Sequence, residues 1–286
     1  MRRRVFRVIG ALNQGPTTVF FFLLFAMIVV AICADWIAPH SPVKGSLRLG
    51  LLPPAWLEGG NPDHLLGTDK FGRDILSRLI YGARVSVSVS CMAIAITASV
   101  GTILGLLAGY FGGWLDIMIM RWVDLSMSFP PILIALILAV ALGPSLTNII
   151  IIVLIIYWAR FARQVRGEAL SIKEADYVIL AKSAGVHPWK IMMRHFFPNV
   201  LPSLLVLSTF QLGDVIILEA TLSFLGCGIP PPNPSWGVII AEGRNYIEEA
   251  WWICVFPGIG IGLTCLSMNM IGDWIRDRLD PKLRQI

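Results

Sequence analysis

Charge is scarce in this sequence. Only 14% of the 286 residues are Asp, Glu, Lys or Arg, whereas 56% are apolar. An average globular chain is roughly 25% charged and roughly 45–50% apolar. A disordered chain is therefore excluded, and a single soluble core could not hide so much apolar surface. The composition predicts a polytopic membrane protein.

Cysteine and histidine are also few. An odd number of cysteines, five, indicates no disulfide framework. Four histidines have no cysteine or carboxylate at ligand spacing along the chain, so no metal site is predicted: His40, His64, His187 and His195. No G-x-S-x-G, H-E-x-x-H or catalytic carboxylate pair is found, and the nearest match to a phosphate-binding loop, Gly67–Gly72, lacks the following Lys-Ser/Thr. We predict no catalytic residue and no cofactor bound by this chain.

Long uncharged runs dominate the rest. A helix needs about 20 apolar residues to cross a bilayer. Six candidates follow, with breaks at glycine clusters: Thr17–Ala34, Val85 to about Gly109, about Ile117–Gly143, about Leu146–Phe161, Val200–Leu225 and Ala250–Gly272. The first run is long for a signal peptide and no A-x-A site follows it, which favours a retained helix. The sequence predicts an all-α integral membrane protein with six transmembrane helices.

The distribution of Lys and Arg orients these helices. Most basic residues fall in loops that lie on one side if both termini are cytoplasmic. The predicted division is a cytoplasmic tail (1–16), a first transmembrane helix (17–38), an external loop (39–84), a five-helix core (85–273) and a cytoplasmic tail (274–286).

Two loops invite a functional interpretation. The external segment Gly226–Trp252 is rich in Pro, Gly and Trp, which is consistent either with an aromatic loop on the bilayer surface or with a rigid cap over a pore. On the cytoplasmic side, a helix over Gly167–Ala184 is predicted to end at Gly185 in a left-handed cap. Pro188 would begin a second short helix that ends near Pro198. This helix–Gly–helix hairpin, at about 167–198, is either an interfacial element or a docking element for a soluble partner.

Charged residues within or beside the spans are candidates for function. Asp214 and Glu219 lie in an apolar run, where a carboxylate either lines a pathway or bonds a neighbouring helix. Arg121 and Asp124, three residues apart on one helix face, predict a local ion pair. Three arginines at intervals of three suit contact with lipid headgroups: Arg160, Arg163 and Arg166.

The cytoplasmic hairpin resembles a loop of bacterial ATP-binding-cassette (ABC) importer permeases. Their pattern is Glu-Ala-Ala, three residues, Gly, nine residues and Ile-x-Leu-Pro. Ala181, Gly185 and Pro198 match it, while the Glu, the first Ala, the Ile and the Leu are replaced, with Ile179 at the Glu position. Further stretches resemble the C-type permease of the dipeptide/oligopeptide/nickel branch, over about residues 64–284: Leu66–Arg78, Tyr81–Arg84, Arg121–Pro130, Arg194–Asn199, Glu219–Gly226, Pro234–Gly237, Phe256–Gly258 and Gly272–Arg284.

The resemblance implies a type I ABC importer permease fold in a bacterial inner membrane. Its partners would be a second homologous permease, two ABC ATPases carrying ATP and Mg²⁺, an extracytoplasmic binding protein and membrane lipid, without nucleic acid. The hairpin would be the element that couples to an ATPase, and its candidate residues are Glu174, Asp176, Tyr177, Ile179, Ala181, Lys182, Gly185, Val186 and Pro198.

Peptide import is the function that the resemblance favours. Asp214 and Glu219, singled out above by their place in an apolar run, are the candidate residues of the translocation pathway. Nickel, opines and glutathione-like thiols are the alternative substrates. Two other classes compete with an importer. One is a proton-coupled secondary transporter that uses the same two carboxylates, although no repeat of similar halves supports it. The other is a nonpermeating scaffold or sensor.

Overall fold

The computed structural model describes residues 16–230 and 232–279. Within these residues every regular element is helical, and β-type pairing is confined to an isolated bridge between Thr68 and Asp74. The helices are α1 (Pro16–Ile32), α2 (Ala34–Ile37), α3 (Ile75–Phe111), α4 (Gly113–Ser128), α5 (Pro131–Leu142), α6 (Leu146–Lys173), α7 (Asp176–Ser183), α8 (Pro188–Ile191), α9 (Phe197–Phe224), α10 (Trp236–Gly243) and α11 (Trp252–Leu279). The prediction of an all-α protein is confirmed.

Length and composition identify the helices that can cross a membrane. Among the described residues four are long and apolar enough: α3, α6, the run Pro188–Phe224 that includes α9, and α11. The pair α4 and α5 counts as a fifth if it forms one bent span. The remaining predicted span, the first along the chain, corresponds to α1, which is apolar but has only 17 residues. The predicted count of six therefore depends on α1 and on the bent pair.

The third predicted span is not one continuous helix. The axes of α4 and α5 differ by 90° at a break between Ser128 and Pro131. Phe129 is extended (φ −103°, ψ 145°), as expected for a residue before proline. Pro130 lacks the N–H that would continue α4, so the helix ends there and Pro131 begins the next one.

The predicted hairpin boundaries are also corrected. Helix α6 runs through Gly167 to Lys173 instead of ending near Phe161. The second predicted short helix does not end near Pro198, because a π-helical turn at Met192–Phe196 joins α8 directly to α9. Pro198 lies in the first turn of α9, where its missing N–H is tolerated.

The predicted loop at 39–84 is shorter in the structure, since α3 begins at Ile75. Asp74 caps it by accepting a hydrogen bond from the backbone N–H of Ser77 at 2.7 Å.

The first predicted helix, 17–38, is interrupted at Cys33 between α1 and α2. The predicted tail at 1–16 lies outside the described residues except for Pro16. Residues 280–286 of the tail predicted at 274–286 lie outside them too.

Helices α3 and α6 form the closest pair in the fold. They run parallel, and Gly101, Gly105 and Gly109 of α3 approach backbone and Cβ atoms of α6. A Cβ added at Gly105 would lie 2.6 Å from the Ala162 carbonyl oxygen. Three glycines at intervals of four permit the backbone contact that stabilises helix pairs in lipid.

Replacing Gly105 with alanine is expected to destabilise the chain by about 1–3 kcal/mol, the usual cost of overpacking. The new methyl group would collide with the Ala162 carbonyl oxygen and the Val165 Cβ, and neither can move without moving α6. The matched control is Gly167→Ala in α6, where nothing lies within 4 Å of the added Cβ. That control should be neutral or stabilising, because alanine favours helices. Thermal unfolding in detergent measures both, and equal midpoints would contradict the packing argument.

The main hydrophobic core lies around this pair and α9. Its fully buried side chains include Ile152, Phe161, Phe196 and Leu222. A second cluster lies beneath α10 at the opposite end, around Trp236 and Trp252. We call the end that carries α7 and α8 the hairpin end, and the end that carries residues 38–74, 225–230 and 232–251 the loop end.

Candidate coupling and translocation sites

The α7–α8 hairpin (residues 174–191) is held between α6 and α9. Ala175 is extended (φ −71°, ψ 139°) and precedes α7. Val178 is fully buried and packs in the main core. The Tyr177 ring lies 5.6 Å from the His195 ring, and Asn199 donates a hydrogen bond to the Tyr177 hydroxyl at 3.5 Å. One side of α7 is therefore anchored to the helices that follow it.

Gly185 ends α7 with the geometry predicted from the sequence. Its φ of +73° is left-handed. The N–H of Val186 donates to the Ala181 carbonyl at 3.1 Å, and that of Gly185 donates to the Lys182 carbonyl at 3.0 Å. These two bonds define a Schellman motif. Ala181 and Val186 both pack against the main core, which supplies the apolar contact that accompanies this motif.

The other side of α7 is apolar and open. Ile179 is 49% exposed and Leu180 is 68% exposed. We call these two residues the α7 patch. Because the patch follows the fully buried Val178, its exposure is fixed by the anchored side of the helix. Because the patch lies on a short helix outside the spans, it is a candidate contact for a partner and not a lipid-facing surface of a span.

The charges of the hairpin fall into two groups. Glu174 and Asp176 are exposed and form no ion pair with other described residues. Lys182 is turned towards the protein, with its Nζ 5.0 Å from the centroid of the Tyr110 ring. Burial lowers the pKa of Lys182, and the positive charge of Lys173 lowers it further. Lys190 is also exposed, so the hairpin offers a partner charges of both signs, with the two carboxylates at the start of α7.

Asp214 lies in a polar group between α6 and α9. Arg160 donates to the Asp214 carboxylate at 3.0 Å and to the Gln211 side-chain oxygen at 2.9 Å. Asp214 is about half exposed (49%), whereas Gln211 is buried and its Nε2 has no partner among the described residues. The predicted pathway residue Asp214 therefore lies on an exposed surface of the chain. Its partner is Arg160, which was predicted to contact lipid headgroups.

Glu219 does not fit the prediction that it lines the pathway. It is fully buried. It accepts hydrogen bonds from the hydroxyls of Ser86 at 3.1 Å and Ser223 at 2.8 Å, and the backbone N–H of Trp236 donates to Ser86 at 3.4 Å. Two hydroxyl donors satisfy a carboxylate within the packing, so Glu219 joins α3, α9 and α10 instead of facing an open surface.

The predicted ion pair between Arg121 and Asp124 is wrong. Asp124 pairs with Arg163 of α6 at 2.5 Å. The next arginine on α6, Arg166, makes two hydrogen bonds to Asp116 at 2.7 and 3.0 Å. These arginines therefore join α6 to α4 instead of reaching headgroups, because the helix packing brings carboxylates about 40–50 positions earlier in the chain within reach.

The loop end contains a buried ionic network that the sequence analysis did not find. Arg78 is only 1% exposed, and its Nη1 lies 2.5 Å from Asp69 and 2.6 Å from Glu242 of α10. Arg73 contacts the same two carboxylates, each at 2.6 Å. The network ties the segment Leu66–Arg78 to α10. No spacing signal could reveal it, since Glu242 lies 164 positions after Arg78.

The same end brings two histidines and a carboxylate together. His40, His64 and Asp74 offer ligand atoms that all lie within 4.8 Å of one another. The histidines are far apart in sequence, which is why counting ligand spacing along the chain missed the cluster.

The tryptophans of the segment Gly226–Trp252 distinguish its two interpretations. Trp236 and Trp252 are buried. Their indole N–H groups donate to the carbonyls of Leu79 and Thr68, each at 3.1 Å. Side chains committed to the protein in this way do not suit a loop that lies on the bilayer surface, and they favour a packed cap.

A comparison with known proteins places these features in a family. The sequence profile of the family described as "Binding-protein-dependent transport system inner membrane component" matches residues 101–285. The chain belongs to this family. It is therefore a permease component of a transport system of the inner membrane, and the resemblance seen in its motifs is confirmed.

Relatives match along almost the whole chain. The dipeptide transport system permease of Escherichia coli K12 is 43% identical over 273 residues, covering 96% of this chain and 91% of that protein. The corresponding protein of Haemophilus influenzae is 39% identical, covering 96% and 92%. Among solved structures, the inward-facing MetNI methionine ABC transporter matches with a TM-score of 0.55 at 17% identity, over 70% of this chain and 97% of that chain. This chain therefore has the fold of ABC importer permeases.

Proposed function

We propose that this chain is one of two related permeases that form the translocation pathway of an ATP-driven importer of di- and oligopeptides. The observation that carries the proposal is the α7–α8 hairpin, which is anchored through Val178 and exposes the α7 patch. Identities of about 40% to permeases named for dipeptides support peptide as the substrate.

The proposed arrangement has six spans, with α1 as the first, and with both termini and the hairpin end in the cytoplasm. Two ABC ATPases bind ATP and Mg²⁺ and contact the hairpins of the two permeases. A binding protein delivers peptide at the loop end, and lipid surrounds the spans. The transport cycle would need no cofactor bound by this chain other than the ATP and Mg²⁺ of its partners, and no nucleic acid.

The α7 patch is the proposed contact with the ATPase. Complete burial of an isoleucine or leucine side chain contributes roughly 1.5–3 kcal/mol, so docking Ile179 and Leu180 into an apolar groove is favourable. Glu174 and Asp176 would add contacts to basic residues at the rim. Ile179 occupies the position of the family's glutamate, so packing replaces the ionic contact there.

Coupling follows from the way the hairpin is held. ATP binding would bring the two ATPases together and move both hairpins, and the anchored side of α7 would transmit that movement to α6 and α9. The permease pair would then open towards the binding protein, and hydrolysis would reset the inward-facing state. This is alternating access driven from the hairpin end.

The polar group of Arg160, Gln211 and Asp214 is the proposed polar surface of the pathway. A charged pair in a membrane span is costly unless it faces water or a partner. Peptides carry both an ammonium and a carboxylate, so an arginine beside an aspartate offers each end a transient contact without a tight site.

Replacing Asp214 with asparagine is expected to lower the uptake rate on the order of tenfold, equivalent to about 1.4 kcal/mol, because Arg160 loses its carboxylate. The matched control is Asp124→Asn, which breaks a similarly exposed pair with Arg163 one helical turn away on α6. Initial rates of ATP-driven peptide uptake in proteoliposomes measure the difference. Equal uptake rates for the two variants would contradict the assignment of Asp214 to the translocation pathway.

The proposed function is tested by reconstitution. The chain is purified from native membranes in mild detergent, and its partners are identified and counted by mass spectrometry. The recovered assembly is placed in liposomes with its binding protein, and uptake of a labelled dipeptide is followed with and without ATP. We expect a second permease, two ATPase subunits and strictly ATP-dependent uptake.

The competing functions give different results. Uptake that needs a proton gradient and no ATPase would establish a secondary transporter. A complete assembly without flux would establish a scaffold or sensor. Uptake of nickel, opines or glutathione in place of the dipeptide would retain the importer and change its substrate.

A further inference from the structure

Two of the four histidines meet a buried carboxylate where α3 begins. The Nδ1 of His64 lies 3.0 Å from the Oδ1 of Asp74, and the Nδ1 of His40 lies 4.0 Å from the Oδ2. The two imidazole rings lie 4.8 Å apart, centroid to centroid. Their residues come from three separate parts of the loop end: the chain after α2, the loop before Leu66–Arg78, and the cap of α3.

The distances suit a small divalent cation. Zinc bonds to imidazole nitrogen and carboxylate oxygen at about 2.0–2.2 Å, so ligand atoms around one tetrahedral ion lie roughly 3.4 Å apart. The ligand atoms of His40, His64 and Asp74 all lie within 4.8 Å of one another. The required adjustment falls on His40, whose side chain is 41% exposed and follows α2 in an irregular segment.

The surroundings fix the carboxylate in place. The backbone N–H and the hydroxyl of Ser77 both donate to the Asp74 Oδ2 at 2.7 Å. The Ser77 hydroxyl in turn accepts the backbone N–H of His40 at 3.0 Å. Metal ligands are commonly oriented by such outer hydrogen bonds. Here one serine orients two of the three candidate ligands.

The buried carboxylate of Asp74 has no lysine or arginine as its counter-ion among the described residues. Asp74 is 1% exposed, and Arg73 and Arg78 are committed to Asp69 and Glu242. Its side-chain oxygens contact the Ser77 backbone N–H and hydroxyl and the His64 imidazole, and His40 lies 4.0 Å away. A divalent ion would balance this buried charge.

We propose that His40, His64 and Asp74 form a divalent metal site whose ligand set suits zinc, with water in the fourth position. The site is separate from the polar group of Arg160 and Asp214, so it holds a structural ion and not transported cargo. Binding would fasten the chain after α2 to the start of α3 and stiffen the loop end.

The test uses the full chain, purified in detergent through a tag that contains no histidine and stripped of metal with EDTA. Zinc chloride is titrated by calorimetry, and cobalt chloride serves as an absorption probe of four-coordinate geometry. We expect one zinc ion per chain and a higher unfolding temperature with zinc than with EDTA.

His40→Gln removes the most exposed ligand and should leave the fold intact, so it is the decisive variant. We expect its zinc affinity to fall at least tenfold and its stabilisation by zinc to disappear. The control is His187→Gln at the hairpin end, which should bind zinc as the unaltered chain does. The proposal is overturned if the unaltered chain binds no zinc, or if the two variants bind it equally.

Discussion

Replacing Gly185 with proline is expected to abolish ATP-driven uptake while the chain still inserts into the membrane. Proline requires φ near −65°, whereas Gly185 has +73°. It would also remove the N–H that donates to the Lys182 carbonyl at 3.0 Å. The turn after α7 would open, and the α7 patch would lose its fixed orientation. Uptake and binding-protein-stimulated ATP hydrolysis in proteoliposomes measure the loss, and membrane fractionation measures insertion.

Two further substitutions at Gly185 separate the effect of backbone conformation on uptake from the effect of adding a side chain. A Cβ at position 185 meets no heavy atom within 4 Å, so neither asparagine nor leucine would clash there. Asparagine adopts the left-handed conformation more readily than other non-glycine residues, and Gly185→Asn should keep most of the uptake. Leucine pays about 1–2 kcal/mol in that conformation, and Gly185→Leu should lose transport. Full uptake by the proline variant would refute the coupling role of this hairpin.

Replacing Arg78 with methionine is expected to have the largest effect on stability, a loss of about 3–5 kcal/mol. Methionine fills much of the same volume but leaves Asp69 and Glu242 with Arg73 as their remaining cation in a buried site. The expected result is a much lower yield of folded chain and a lower midpoint in thermal unfolding.

The matched control for Arg78 is Arg48→Met, in the segment that precedes α3 at the same end of the molecule. Arg48 is exposed and forms no ion pair with other described residues, so its replacement should change stability by no more than about 0.5 kcal/mol. A double variant, Arg78→Met with Glu242→Gln, should recover part of the loss because one uncompensated charge is removed. Similar midpoints for Arg78→Met and Arg48→Met would show that the network adds nothing to stability.

Local sequence signals were sufficient for some of this structure. A glycine at the end of an amphipathic stretch predicted the left-handed cap at Gly185, because φ above zero is a property of the residue itself. The apolar runs likewise predicted helices, although their ends were displaced. The break at Phe129–Pro131 has a clear local signal in its two adjacent prolines, although the length of the uncharged run around it predicts one continuous span.

Other features could not be predicted because they depend on packing between distant segments. Arg160, Arg163 and Arg166 look alike on a helix, and their partners are decided by which helices α6 contacts. Asp214 and Glu219 likewise share a residue class and a span, yet one is open and the other is enclosed by two serines. Burial is a tertiary property, so spacing alone could not separate their roles.

The backbone contact between α3 and α6 bears on where this protein can bend. With 37 residues α3 is about 55 Å long, well beyond the roughly 30 Å of a hydrocarbon layer. At one tip it holds Arg78, and at the other Tyr110 lies beside Lys182 of α7. Because three glycines, Gly105 among them, bring α3 into backbone contact with α6, we expect the two helices to move as one rigid unit. We therefore expect a displacement at the hairpin to be transmitted along this pair to the loop end. We expect hinge motion in neighbouring elements instead, with the right-angled bend between α4 and α5 as the first candidate.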